Sequence, residues 1–407
     1  MSAKLSRERG VVSNRDAEVR HGRSTHRARA SQPKPPDPGL GELATAGDPA
    51  GETHGGRPVV AVTGAARGLG HALTTRLADG DRIGRVIAID DHRGDTTGVT
   101  WRVTDVRDPA LAGRLAGVDV VVHTDLDLAP ESDSRPRRTF NVRGTQTVLT
   151  AAAAGGVGRV VLVTSAMVYG ARPDNPVPLP EDAPLGADQD GSVVGDLLEI
   201  EQLAQRSALA HPGMAVTVVR PAALVGEGID TLITRHFEAP RLLTVKGSAA
   251  RWQFCHIDDL VSALELAAAG EVTGAFAVGS DGWLEPDQLE ELTGLKRIEL
   301  PAGLTFATAQ RLHRAGITPA LVNDLHFVVY PWVVDCAALR AAGWRPSYDN
   351  AADVEVLLGQ RAGHHAVAGR RLGRKDATIT AAAGAGATVA VIGTAAIVRN
   401  ARRRRRT

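Results

Sequence analysis

Cysteine is almost missing from this chain: its 407 residues hold two, Cys255 and Cys336. Two thiols make no disulfide framework, and neither lies in a metal-ligand spacing. A reducing cytoplasm is the simplest setting for such a sequence. Net charge is nearly absent as well, at +1, so no overall field draws the chain to nucleic acid or membrane. The N-terminal end has no apolar core of the kind a secretory signal needs. Residues 1 to 56 lack apolar periodicity altogether and are rich in Arg, Ser, Pro, Gly and Asp. Such a segment cannot bury enough surface to offset its ordering entropy, and it is expected to be a disordered basic arm. What remains is ordinary. Hydrophobic content is 43%, normal for a globular protein. The length suits one large α/β domain or two small ones.

The most informative stretch runs from Arg57 to Asp90. An apolar strand, Pro58 to Thr63, leads into the turn Gly64-Ala65-Ala66-Arg67-Gly68-Leu69-Gly70. A helical pattern follows from His71 to Ala78, and then a second strand from Arg85 to Asp90. Strand, glycine turn, helix and a strand ending in an acid form the layout of a dinucleotide site. Gly64 suits the tight turn because it has no Cβ. Gly68 would let the backbone approach a pyrophosphate, and Gly70 would let the helix pack closely on the sheet. The helix N-terminus offers free N–H groups to phosphate oxygens. Asp90, 20 residues past Gly70, stands where a carboxylate accepts from an adenosine ribose hydroxyl.

Alternation of strand and helix continues. Thr100 to Val103 reads as a short strand running into Asp105 and Val106. Asp105 would accept from an adenine amino group, or else cap the next helix. Val118 to His123 and Arg159 to Ser165 are continuous apolar runs typical of strands buried on both faces. Between them, Phe140 to Ala154 reads as a helix ended by Gly155-Gly156. Several such strands with helices between them imply a parallel, doubly wound sheet.

Further strings agree with one another. They are Asn141-Val142-Arg143-Gly144-Thr145, Ser165-Ala166-Met167-Val168-Tyr169-Gly170, Arg220-Pro221, Phe254 to Leu260, and Ala342-Gly343-Trp344-Arg345-Pro346. With them the chain resembles the extended short-chain dehydrogenase/reductases, the NAD-dependent epimerase/dehydratase group that acts mostly on sugar nucleotides. The likeness covers roughly residues 58 to 360. It implies a Rossmann-type α/β domain over 57–360 with a small C-terminal portion on the substrate side, drawn from about Ala222 to Gly247 and from Ala275 onward. It implies cofactor contacts at Gly64, Arg67, Gly68, Leu69, Gly70 and Asp90, and at Asp105, Val106, His123 and Asn141. Ser165 would polarise a substrate oxygen. Lys246 and Arg251 would be candidates for holding a nucleotide diphosphate. A homodimer through helices that include the one near Glu199 is a further implication.

The sequence departs from the resemblance in three places. The family's acid/base tyrosine and its lysine, spaced Tyr-x-x-x-Lys, should open the helix that runs to Leu203. The tyrosine slot holds Ser192 or Val193 and the lysine slot Asp196 or Leu197, depending on register. General acid/base help typically supplies about 10²- to 10⁴-fold, so the loss bears on whether the chain turns over a substrate or only binds. Tyr169 and Asp196 could act instead. After His123 the chain reads Thr124-Asp125-Leu126 rather than small apolar residues, which alters the usual cofactor pose. Arg67 replaces the family's middle glycine. It could meet the 2′-phosphate of NADP, but Asp90 would repel that group, so NAD is the expected cofactor.

The C-terminal end divides into a basic linker, 361–376, an uncharged Ala/Gly-rich segment, 377–398, and a polybasic tail, 399–407. The middle segment is long enough to span a bilayer, although Ala, Gly and Thr insert weakly. A membrane anchor or an anionic-surface contact, a disordered basic tail and a nucleic-acid-binding tail all fit this pattern.

Overall fold

The computed structural model describes residues 56–248, 250–314, 323–361, 366–367 and 370–371. The chain divides into two units, and all of these residues belong to the second, Gly39–Thr407. The expected N-terminal arm, apart from Gly56, lies outside the described residues. So do most of 361–376 and all of the apolar segment and polybasic tail. Among the described residues, no helix is long and apolar enough to cross a membrane.

The apolar runs form strands in chain order: β1 Val59–Thr63, β2 Arg85–Asp90, β3 Thr100–Val103, β4 Val120–His123, β5 Arg159–Val163 and β6 Ala215–Pro221. Shorter ones follow: β7 Ala223–Val225, β8 Leu242–Val245, β9 Phe254–His256, β10 Ala275–Val278 and β11 Arg297–Leu300. Seven of these make one sheet in the order β10-β6-β5-β4-β1-β2-β3. Every pairing in it is parallel. This is the doubly wound Rossmann-type sheet that the sequence predicts. Strand order reverses between β1 and β4, and the crevice beyond their C-terminal ends is where such sheets bind ligands.

The helices are α1 Gly68–Asp79, α2 Leu111–Arg114, α3 Ser134–Arg138, α4 Gly144–Ala154, α5 Val193–Ala210, α6 Leu232–Glu238 and α7 Ile257–Ala269. Successive strand residues point to opposite faces, and two core layers result. Val60 and Val62 pack with Leu73 and Leu77 of α1 and Leu264 of α7. Ala61, between them, joins Leu111 of α2, Leu149 of α4 and Ile200 of α5 on the other face.

Two expectations are corrected. The helix read from Phe140 starts earlier, with α3 at Ser134 and a π-helical turn over Thr139–Arg143 joining it to α4. Residues 134–138 carry no apolar stripe, so periodicity could not report them. Ala275 does not begin the substrate-side portion. Its strand, β10, is the edge of the central sheet and pairs with β6. The substrate side instead holds two small parallel pairs, β7 with β9 and β8 with β11.

A buried ion pair bolts β5, β6 and α5 together beneath the site. Arg220 Nε and Nη2 each donate to Glu201 at 2.9 Å, and both residues are almost fully buried. Thr164 Oγ1 donates to the same carboxylate at 2.8 Å. Removing one member of a buried pair strands the other charge, at a cost of about 3–5 kcal/mol. Glu201→Gln is therefore expected to lower the urea-unfolding free energy by about that amount. An unchanged midpoint and slope would show that the pair does not brace the sheet.

Candidate functional site

The glycine turn fits the backbone demands read from the sequence. Gly64 has φ +72° and Gly68 φ +50°, both in the left-handed region. A Cβ on Gly70 would lie 2.0 Å from the carbonyl oxygen of Gly64, so only glycine lets α1 sit against β1. A Cβ on Gly68 would meet nothing within 4 Å, because that position faces open space. The first intrahelical bond is donated by His71 N to Arg67 O at 3.1 Å. The amides of Gly68, Leu69 and Gly70 precede it and are the orphan donors of the helix start.

Asp90 is fully buried at the end of β2. Its Oδ2 accepts from Ala66 N at 3.0 Å and its Oδ1 from Arg67 Nη2 at 2.8 Å. Arg67 also donates to Asp91 Oδ1 at 3.0 Å. The arginine side chain is 58% exposed, so it lies over Asp90 without being held in the interior. Thr124 and Asp125 leave β4 as the start of a strap that crosses beside the turn. Asp125 Cα lies 2.9 Å from where a Cβ on Gly64 would be. Burial, and next the Asp90 carboxylate, push the Asp125 carboxyl up to about 7, against the pull of Arg67.

Ser165 follows β5 and caps the short helix Ala166–Tyr169, its Oγ accepting from Met167 N at 3.2 Å. Tyr169 is locked by its neighbours. Its hydroxyl donates to Glu181 O at 2.7 Å and accepts from Arg220 Nη1 at 2.8 Å. Burial raises its phenol above the ordinary value, although Arg220 opposes this. A bound, protonated phenol is poorly placed to move protons for a ligand.

The start of α5 carries the slots that the sequence leaves open. Ser192 is its N-cap, with Oγ accepting from Gly195 N at 3.0 Å. Ser192, Val193 and Leu197 line the cleft, while Asp196 does not and is fully buried. Arg137 Nε donates to Asp196 Oδ2 at 2.9 Å, and Asn141 Nδ2 approaches the same oxygen at 3.4 Å. Burial raises the Asp196 carboxyl above its ordinary value, and Arg137 opposes this. Asn141 also pins the strap by accepting from Asp127 N at 2.8 Å and donating to Asp127 O at 2.9 Å.

These parts surround a cleft of about 1300 Å³ that runs from Gly64, Gly68 and Leu69 past Ser165 to Leu232 and Trp332. Comparison with known proteins agrees with this geometry. Residues 60–279 match the profile described as "NAD dependent epimerase/dehydratase family". The chain belongs to that family. An uncharacterized Mycobacterium tuberculosis protein is 33% identical over 303 residues, 71% of this chain and 80% of the relative. A Streptomyces protein named 3-diazoavenalumate denitrifying reductase is 28% identical over 316 residues, 72% of this chain and 93% of the relative. Among solved structures, MoeE5 in complex with UDP-glucose and NAD aligns with TM-score 0.56 at 22% identity, covering 75% of this chain and 99% of that one.

For this epimerase/dehydratase chain, five of the expected cofactor and substrate-oxygen contacts line the cleft: Gly64, Arg67, Gly68, Leu69 and Ser165. Gly70 and Asp90 support the turn from behind. His123 is buried, with its ring between Thr63 Oγ1 at 2.7 Å and Thr145 Oγ1 at 3.1 Å. Burial depresses it to about 4, and it braces β4 without reaching the cleft. Val106 is buried in the core. Asp105 does not cap the next helix, whose N-cap is Ala110. Its carboxylate is bound by Arg107, whose backbone N donates to it at 2.8 Å and whose Nε donates at 2.9 Å. Lys246 is exposed, and Arg251 donates to Glu285 at 2.8 Å. Neither lines the cleft. Arg137, which does line it, was missed by the sequence reading. Asp133 and Ser134 before Pro136 form a helix-start signal that could have revealed it.

Asp125 makes a pH prediction. Its pKa in the folded protein lies above the unfolded value of 3.8, so the folded state holds a proton that the unfolded chain releases. Stability contributed by this group falls as pH rises between about 4 and 7 and stays low above that. Asp353, also raised to about 7 chiefly by burial, acts in the same window. Asp125→Asn is expected to match the parent in thermal melts at pH 3. At pH 8 it should be more stable by up to about 4 kcal/mol, at about 1.4 kcal/mol per pKa unit. Equal stability at both pH values would count against a buried, proton-holding Asp125.

Proposed function

We propose that this chain binds NAD across the glycine turn and works on a second ligand in the adjoining cleft, as an epimerase/dehydratase-type protein with an altered active site. The observation that carries this reading is the open, left-handed Gly68 at the start of α1, facing a cleft that continues to Ser165. The pyrophosphate would lie on the amides of Gly68, Leu69 and Gly70. Asp90 would take the adenosine ribose once Arg67 swings off it. A 2′-phosphate there would face both Asp90 and Asp91, which favours NAD over NADP. When bound, the nicotinamide supplies or accepts a hydride. Ser165 would hydrogen-bond the reacting oxygen of the second ligand.

Similar proteins support the reading in different ways. The solved MoeE5 complex holds UDP-glucose beside NAD, which favours a nucleotide sugar or a related substrate. The Streptomyces relative is named a reductase, which favours oxidoreduction. A second reading rests on α5. In neither register, Ser192 with Asp196 or Val193 with Leu197, does its start offer the family's tyrosine and lysine, so the chain would hold a dinucleotide as a sensor or scaffold without turnover. A homodimer through helices that include α5 belongs to either reading, and Leu209 on that helix is 80% exposed.

Calorimetric titration with NAD tests the cofactor. Asn tolerates left-handed backbone, and at Gly68 its side chain would protrude into open space. Gly68→Asn is expected to weaken NAD at least about tenfold, a loss of about 1.4 kcal/mol, with little change in melting temperature. No heat with NAD, or no effect of this substitution, would sink the cofactor reading. Ser165→Ala separates enzyme from sensor. Loss of hydride exchange with NAD affinity retained marks an enzyme. Parent protein that binds NAD but never reduces or oxidises it, whatever second ligand is offered, marks a sensor.

A further inference from the structure

We infer that the substrate end of the cleft is built for a compact, largely apolar ligand carrying a positive charge, and not for a nucleoside diphosphate. The inference rests on the reading above, that the second ligand sits in the cleft beside the glycine turn, and departs from it on the nucleotide sugar.

The first ground is the charge of the lining. The strap after β4 contributes Asp125, Asp127, Glu131 and Asp133 to one wall. Asp190, Asp230 and Asp324 line the rest. Against these seven carboxylates, the described lining residues include two guanidiniums, those of Arg67 and Arg137, and neither Lys nor His. Both guanidiniums already serve carboxylates, Arg67 those of Asp90 and Asp91 and Arg137 that of Asp196. Buried Arg235 lies behind the wall and holds Asp230 at 2.7 Å and Glu131 at 2.8 Å. Even with Asp125 protonated and Glu131 and Asp230 held by Arg235, Asp127, Asp133 and Asp190 keep the described lining net negative.

The partners of Asp127 and Asp190 point the same way. Asp127 Oδ1 accepts from Ala129 N at 3.1 Å. Asp190 accepts from Ser192 N at 2.9 Å and from Asn323 Nδ2 at 3.0 Å. These neutral donors fix the carboxylates in place without cancelling their charge. The cations that the sequence offered for a diphosphate, Lys246 and Arg251, do not line the cleft. A diphosphate entering here would leave water for a wall of like charge, a poor exchange.

The second ground is shape and polarity. Leu128 on the strap, Val193 and Leu197 on α5, Leu232 and Ile233 on α6, and Trp332 make the cleft largely apolar. Apolar walls with a few fixed charges select a small organic ligand by charge and fit. The Trp332 ring adds a face of the kind that attracts cations.

The test is equilibrium binding to the full-length chain, with and without saturating NAD. The probes are three ligands of similar size, 2-phenylethylammonium, 2-phenylethanol and phenylacetate, together with UDP and UDP-glucose. The ammonium ion is expected to bind at least about tenfold tighter than the alcohol, with phenylacetate, UDP and UDP-glucose weaker than both. Its advantage should shrink as salt rises. It should also shrink in the double variant Asp127→Asn, Asp133→Asn, which is expected to keep its melting temperature and its NAD affinity. UDP or UDP-glucose binding tighter than the ammonium ion, equal binding of the three isosteres, or no binding of the ammonium ion overturns the inference. Should NAD fail to bind while the charge ranking holds, the cofactor reading falls and this one stands. Should NAD bind while the ranking inverts, only this one falls.

Discussion

The site exists because two chain segments come closer than any side chain would allow. Gly70 approaches the Gly64 carbonyl so nearly that a Cβ would sit 2.0 Å from its oxygen. That contact seats the N-terminus of α1 at the C-terminal end of β1. Gly64 in turn lets the backbone of Asp125 pass where another residue's Cβ would stand. The turn and the strap are thereby fixed against each other at the point where strand order reverses, and the mouth of the cleft lies between them.

Charge pairing then decides what the walls present. Three described arginines at or behind the cleft wall are claimed by carboxylates: Arg67 by Asp90, Arg137 by Asp196, Arg235 by Asp230. Burying an unpaired charge is costly, so these pairs form within the wall instead of waiting for a ligand. On the strap, Asp127 is held by the backbone N of Ala129 and Glu131 by Arg235. The same logic shapes Tyr169 and His123. Both are tied into the framework on both sides, and their burial favours the neutral forms.

The sheet was legible from the amino-acid order because strands buried on both faces are written as continuous apolar runs, such as Val120 to His123. The glycine turn was legible because left-handed backbone and close approach leave few alternatives to glycine. Other features had no such local mark. The helix over 134–138 is polar and depends on the strap and α5 around it, so Arg137 went unread. Ala275 was assigned to the wrong layer because a short edge strand carries the same pattern wherever it pairs. On α5 the sequence marked no cleft-facing side, because Ser192, Val193 and Leu197 all reach the lining while Asp196 between them is buried.

The amino-acid order alone determined that there would be a parallel α/β sheet, where its first crossover would turn, and which acid would close the second strand. Those features follow from local sterics and from side-chain polarity repeated along a few residues. Only the tertiary structure decided which charges share a wall and which are cancelled. Arg137 meets Asp196 across 59 positions of chain, and Arg235 meets Glu131 across the cleft's far side. Electrostatic partners are chosen by distance in space, and a linear order of residues does not contain that distance.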